Sequence, residues 1–263
     1  MADDTTPPAI VLHIPHASRE IPDDIRQSFV IDDARLELEL LRMTDHFTDE
    51  LFLVPPAVAT PVVYPVSRLV CDPERFPDDA EEPMAARGMG VIYTQRHDLG
   101  PLREPPTASE REALLDRYYR PYHRALEEAV GASLAAHGRC LVIDCHSFPG
   151  TPLPYETDAA RPDICIGTDE FHTPRALRDA AVAAFRAARL EVAVDRPFAG
   201  ALVPASRYQQ DRRVAAVMIE VNRSLYMDEE TGERGPRFLD IKALLERVIT
   251  SDLYSAVAKG LRS

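Results

Sequence analysis

The stretch LVIDCHSFPG, residues 141–150, decides the fold. Leu141, Val142 and Ile143 form a short apolar, largely β-branched run. It follows a helix-like segment that ends at His137-Gly138. Such a run reads as a buried strand of a parallel sheet. Asp144, Cys145, His146 and Ser147 come next, and Phe148-Pro149-Gly150 then breaks the structure. In open α/β sheets ligands bind outside the carboxyl ends of the strands, so the strand would deliver His146 to a site. Two other apolar runs repeat the arrangement: AIVLHIPHAS (9–18) leads to His16, and AAVMIEVNR (215–223) carries Glu220. Three strands that each bring a metal-compatible or acid–base group to one edge suggest a metallohydrolase.

Outward from these runs, strands alternate with helices. A strand is expected at 10–14. Leu36, Leu40, Met43, Phe47 and Leu51 recur at helical spacing and predict a helix over 32–53, with a possible break at Thr44-Asp45 because Thr and Asp favour N-caps. Residues 58–70 are β-rich but contain Pro61 and Pro65, which fits an edge strand or two short pieces. Residues 71–106 lack periodicity and read as a long functional loop. A strong helix over 109–137 is opened by Thr107 or Ser109 and kinked at Pro121. Strands are expected at 164–167, 190–194 and 214–221, a helix at 173–189 with Pro174 in its first position, and a last helix at 236–261. The fold class is α/β, a mixed, mainly parallel sheet flanked by helices. Residues 1–8 read as a disordered lead-in and 9–263 as one catalytic domain.

The chain has 263 residues, 45% of them hydrophobic, and a net charge of −13. That length suits one sizeable domain, and the acidity argues against nucleic acid as a partner. Lys242 and Lys259 are the only lysines, so nearly all positive charge is Arg, whose planar fork suits carboxylates. Cys71, Cys140, Cys145 and Cys165 have no CxxC spacing and read as buried thiols. No signal peptide and no membrane-length apolar run is seen, which gives a cytoplasmic enzyme as the simplest expectation. GxxxxGK, GxGxxG and GxSxG are absent.

A catalytic zinc takes three protein ligands and keeps one position open. His16 and His146 could be two of them. Asp45, Asp49, Glu20 and Asp144 are open for the third, and Asp45 and Asp49, four apart, would share a helical face. Asp144 could instead orient His146, and His13 suits a side-chain partner within its strand. His97, His123, His137 and His172 are assigned no role. A single strand-end histidine is more often structural than ligating. Glu220 is the sharpest oddity, because a carboxylate in an apolar strand is costly to bury unpaired. Either it pairs with a local Arg such as Arg223, or it faces the site as a general base for an attacking water. Arg68, Arg75 and Arg223, each more often a surface charge alone, could together bind a substrate carboxylate and polarise the scissile carbonyl.

With these segments in view, the chain resembles the N-formylglutamate amidohydrolase family. The resemblance rests on IPHASREIP (14–22), MTDHFTDELF (43–52), VSRLVCDPERF (66–76), IDCHSFP (143–149), RPDICIGTD (161–169), RPFAGALVP (196–204) and MIEVNRSLYMDE (218–229), in the family's order. It implies a fold like that of zinc carboxypeptidases with one zinc at the strand ends. It also implies hydrolysis of an N-acyl amino acid, N-formyl-L-glutamate giving formate and L-glutamate in a late step of histidine breakdown. His16, Asp45 and His146 match the ligand positions and Glu220 the base. Arg68 is then expected to assist catalysis, and Arg75, Asn222 and Arg223 to bind substrate. Glu74-Arg75 replaces an Asn-Arg pair of many relatives, and the stretch after Gly200 also departs, so the reaction class is implied more firmly than the substrate. A peptidase or amidase acting on a short or cell-wall peptide, and a metal-free carboxylate-binding protein of the same fold, are the competing expectations.

Overall fold

The computed structural model describes residues 9–154, 156 and 158–256. The expected lead-in at 1–8 and the last helix beyond residue 256 lie outside them. Six strands form one sheet: β1 (Ile10–Ile14), β2 (Ala59–Val63), β3 (Cys140–Phe148), β4 (Ile164–Gly167), β5 (Val192–Val194) and β6 (Val214–Asn222). Their order is β2-β1-β3-β6-β4-β5. All neighbours run parallel except β4, which is antiparallel to β6. The sheet is therefore mixed and mainly parallel. Pro61 sits in β2 at the edge, where a missing N–H is tolerated.

Strand alternation sorts the core into two layers. Ile10, Leu12 and Ile14, with Leu141, Ile143, Cys145, Ala215, Val217, Ile219 and Val221, pack on helices α6 (Arg175–Ala187) and α7 (Phe238–Arg247). Val11, Val142 and Ala216 face the other way, onto Leu126 and Val130 of helix α5 (Arg120–His137). On this second face the apolar rows stop halfway. By the same alternation His13, Asp144 and Met218, then His146 and Glu220, occupy its carboxyl end. His13 is opposite Asp144, and His146 opposite Glu220, in the strand register. An unbroken apolar run in the sequence thus becomes a sheet face that is oily at one end and polar at the other.

Among the described residues three helices separate β1 from β2, of which the first two are α1 (Asp23–Arg26) and α2 (Asp33–Met43), the latter capped by Asp32, whose carboxylate accepts from the Arg35 N–H. The single helix expected over 32–53 breaks at Thr44. The Asp45 N–H donates to the His16 carbonyl at 3.0 Å, Phe47 takes a left-handed φ of 63°, and α3 (Thr48–Leu51) starts afresh. Asp45 is consequently on a turn, and it shares no helical face with Asp49. The helix expected over 109–137 is α4 (Ala108–Leu114), opened by a Thr107–Glu110 capping box, followed by a π turn at Leu115–Tyr119 and then α5. The turn directly precedes Pro121, which has no N–H to donate. The last helix begins at Phe238 rather than 236 and passes into a second π turn, Val248–Leu253. The 71–106 loop is held down by its own cluster, in which Leu69, Met89, Tyr93 and Leu102 pack with Leu36, Leu40 and Met43 of α2.

At the far side of the sheet the 197–200 segment lies close against β4. A Cβ on Gly167 would stand 2.3 Å from the Gly200 carbonyl oxygen and 2.4 Å from Met218 Cε. Only a residue without a side chain allows that approach. Gly167→Ala should therefore lower stability by about 1–3 kcal/mol, the usual cost of overpacking, read as a reduced urea midpoint; an unchanged midpoint would show that the segment yields freely.

Candidate metal centre and catalytic cleft

The carboxyl end of the polar sheet face opens into a cleft of about 550 Å³. Its floor holds His16, from the loop after β1, Asp45, from the turn after α2, and His146 and Glu220, from β3 and β6. All four are buried. Asp45 Oδ2 lies 3.0 Å from His146 Nδ1 and 3.7 Å from His16 Nδ1. Each histidine is braced from behind. His16 Nε2 donates to Asp72 Oδ1 at 2.8 Å, and His146 Nε2 lies 2.8 Å from Asp144 Oδ1 and 3.1 Å from Glu74 Oε1. Carboxylates behind both Nε2 atoms turn the Nδ1 atoms toward Asp45 and the cleft. Such outer carboxylates are the usual way of fixing the tautomer of a ligating histidine.

The braces are themselves secured. Asp72 also accepts from Arg68 Nε and Nη2, from the Tyr93 hydroxyl and from the Glu74 N–H. Burial alone would raise the Asp72 carboxyl, but Arg68, His16 and Arg75 hold it well below the usual carboxylate range. Asp144 accepts from His13 Nδ1 at 2.7 Å and from the Leu202 N–H at 2.8 Å, so His13 finds its partner across the sheet on β3 rather than within its own strand. Asp45 receives Arg223 Nη2 at 3.0 Å and the Ser147 N–H at 3.2 Å. Burial pushes its carboxyl up, and the neighbouring His146, His16 and Arg223 more than reverse this.

Several features fit a cation. The donor atoms of His16, Asp45 and His146 all lie within 4.8 Å of one another, and two ligands each about 2.0–2.1 Å from one zinc stand roughly 3.3 Å apart. His16 Nδ1 is buried and has no hydrogen-bond partner among the described residues. The cluster of Asp45, Asp72, Glu74, Asp144 and Glu220 faces Arg68, Arg75 and Arg223. His13, Glu74, Asp144 and His146 also form a group of ligand-like atoms. There, however, His13 and His146 already bond to Asp144.

Glu220 stands apart. Its Oε2 is buried without a hydrogen-bond partner among the described residues, and the Arg223 side chain bonds Asp45, Ser147 and the Arg42 carbonyl. Burial pushes the Glu220 carboxyl up to about 8; His146 and Arg223 pull it down while Asp45 and Glu74 add to the rise. Of the two alternatives for Glu220, the local pair with Arg223 is not formed, because Arg223 is engaged by Asp45, and the carboxylate faces the cleft.

The other expected site residues divide. Arg68 and Arg75 line the cleft. Arg68 is doubly bonded to Asp72, whereas Arg75 Nε is 3.8 Å from Asp72 and is buried without a hydrogen-bond partner among the described residues. Arg223 lines the cleft with its fork already engaged. Asn222 is not brought there: its amide donates to the Pro162 carbonyl, and its oxygen caps the short 3₁₀ turn at Ser224. Glu20 and Asp49 are exposed and join neither group of candidate ligands. Asp72 and Tyr93 were not foreseen. The only signal for Asp72 was an acidic residue between an apolar run and Pro73.

Fold and site together define an α/β domain with a histidine–carboxylate centre at the sheet's carboxyl edge. The chain belongs to the N-formylglutamate amidohydrolase family, whose model matches residues 9–227. It is 32% identical over 171 residues to an N-formylglutamate deformylase of Pseudomonas aeruginosa, covering 62% of this chain and 63% of that one. It is 28% identical over 163 residues to one of Pseudomonas putida, covering 60% and 58%. The match therefore spans less than two thirds of either relative. The solved N-formylglutamate amidohydrolase of Ralstonia eutropha JMP134 superposes with a TM-score of 0.80 at 25% identity, covering 98% of this chain and 96% of that one. A gene product of Agrobacterium tumefaciens, at 21% identity and a TM-score of 0.65 over 94% and 91% of the two chains, shares the fold. Among the described residues no helix is long and apolar enough to cross a membrane.

Two outcomes are expected. His16→Ala and His146→Ala should each abolish stoichiometric metal binding measured by elemental analysis, and Asp45→Asn should weaken it, whereas Asp49→Asn should leave it intact; loss of metal in the Asp49 variant alone would reassign the third ligand. The second concerns His46, which is buried and donates from Nε2 to the Leu41 carbonyl at 3.1 Å. Burial, aided by Arg223, lowers it to about 4. The unfolded chain takes up this proton near pH 6.5, so the contribution of neutral His46 to stability is complete above that pH. It is lost as pH falls toward about 4. Denaturant titrations should show this slope, and His46→Gln should flatten it.

Proposed function

We propose that the protein is a zinc-dependent amidohydrolase that cleaves the amide of an N-acyl amino acid, with N-formyl-L-glutamate and water giving formate and L-glutamate. The observation that carries this reading is the unpaired, buried Glu220 carboxylate in the same cleft as the His16–Asp45–His146 group. The names of the Pseudomonas relatives support the substrate. With that substrate the natural setting is histidine degradation in the cytoplasm.

His16, Asp45 and His146 would hold the ion. When bound, zinc supplies Lewis acidity, which polarises a carbonyl and acidifies water. The remaining work belongs to the chain. Glu220 takes a proton from the attacking water and returns it to the amide nitrogen as the C–N bond breaks. A carboxyl raised by burial toward neutral pH is suited to both transfers, since proton exchange is most efficient near the working pH. Arg68, braced by Asp72, stabilises negative charge developing on the carbonyl oxygen. Arg75, whose Nε lacks a hydrogen bond, binds a substrate carboxylate. Arg223 keeps Asp45 ionised and fixed, so its part in substrate binding is indirect.

Glu220→Gln keeps size and hydrogen bonding but cannot accept a proton. With N-formyl-L-glutamate, kcat should fall by roughly 10²–10⁴-fold while metal content and the thermal midpoint stay at the parent values. Full kcat in this variant would defeat the mechanism. Loss of metal or of folding would make Glu220 a ligand or a structural partner. A purified protein with no metal, and no activity after metal is added, would favour the carboxylate-binding alternative.

A further inference from the structure

The cleft has two unlike flanks, and the strand order fixes which is which. Arg68, Glu74 and Arg75 lie in the long loop after β2, beside β1 at one side of the sheet. Phe198 lies after β5, at the opposite side. His146 and Glu220 are between them, on the central pair β3 and β6. With a scissile amide at the centre and a carboxylate at the arginine flank, the Phe198 side is the one opposite the carboxylate and open to the acyl group.

That flank holds an apolar patch, bordered by Glu156 and Asp158, which are paired with Arg161 and Arg196. The Phe198 ring meets Phe148 edge-on at 5.6 Å between centroids. The Phe198 carbonyl accepts the Cys165 thiol at 3.1 Å. Met218, two residues before Glu220 on the same strand face, lines the cleft beside them. The close Gly167–Gly200 approach holds the segment against the sheet at this place. Phe198 is only half buried, so its ring keeps surface for a ligand. A formyl group ends in a hydrogen and would leave this surface without a partner. The cleft, about 550 Å³, is also in the range that encloses drug-sized ligands.

We propose that the Phe148–Phe198–Met218 flank is an acyl subsite, and that N-acyl amino acids with aromatic or bulky aliphatic acyl groups are substrates of this enzyme. The inference rests on the amide-hydrolase reading above. The bond changes are those of formyl hydrolysis: water adds its oxygen to the acyl carbon, the C–N bond breaks, and a carboxylate and the free amine leave. Specificity comes from apolar surface covered by the acyl group, which in a hydrophobic pocket is worth roughly tenfold or more in kcat/KM per added group.

The test compares metal-loaded enzyme on N-formyl-, N-acetyl- and N-benzoyl-L-glutamate, with N-formyl-L-leucine as a control for the amino-acid half. N-benzoyl-L-glutamate should exceed N-acetyl-L-glutamate by about tenfold in kcat/KM. Phe198→Ala should shrink that ratio to near one, and Phe198→Leu should restore most of it. Calorimetric titration of the Glu220→Gln protein with N-benzoyl-L-glutamate reads the subsite without turnover; it should bind more tightly than the acetyl compound. Rejection of the benzoyl compound, an unchanged ratio in Phe198→Ala, or a gain that follows leucine rather than benzoyl would overturn the subsite. If no compound is hydrolysed by loaded enzyme, the amide-hydrolase reading fails, and the titration still decides whether the flank takes an apolar acyl group.

Discussion

Asp45 is the buried charge on which the arrangement depends. Its carboxylate receives Arg223 from the end of β6 and the Ser147 N–H from β3, and it faces His146 and His16. A carboxylate taken out of water is costly unless it is paired and fully hydrogen-bonded. The partners that satisfy it come from three separate parts of the chain, so closing the network brings the sheet edge together. Its backbone takes part as well, since the Asp45 N–H bonds the His16 carbonyl. Continuing the helix through Thr44 would break that bond, and the chain turns there instead.

The second constraint is how far the core extends on one face of the sheet. Helix α5 covers Val11, Val142 and Ala216. Beyond it the same rows continue as His13 and Asp144, then His146 and Glu220. The opposite face stays apolar through Cys145, Ile219 and Val221 and turns polar at Ser147, the next residue of that face on β3. The helices on that face anchor the strands, while the polar end of the other face remains open to the cleft. The same strands thus supply both the rigid frame and the polar side chains of the cleft, which is the condition for holding several side chains in fixed relation.

Around the centre, charges are arranged in pairs that hold one another. Arg68 and Tyr93 hold Asp72, and Asp72 holds His16. His13 and Leu202 hold Asp144, and Asp144 holds His146. Among the described residues Glu220 Oε2 has no such partner, and the contrast is informative: the braced carboxylates Asp72 and Asp144 are driven down by their neighbours, whereas Glu220 is driven up by burial. Environments that push titratable groups apart in this way are those that separate fixed charges from proton-transfer groups.

The sequence by itself determined the strands, the histidines at their ends and Glu220, because each is a local pattern: an apolar run, its termination, and a charge where the period forbids one. The Pro61 edge strand and the Pro121 irregularity follow from a missing N–H, also a local property. Asp72, the role of Arg223, the diversion of Asn222 and the break before Asp45 were decided by tertiary structure. Arg223 reads as a ligand clamp until Asp45, 178 positions away along the chain, is found on its fork. Asn222 follows Glu220 by two residues and would share its face, but the turn after β6 draws its amide to Pro162 and Ser224. Periodicity reports which way a side chain points within its element; which distant charge meets it depends on how the loops close over the sheet.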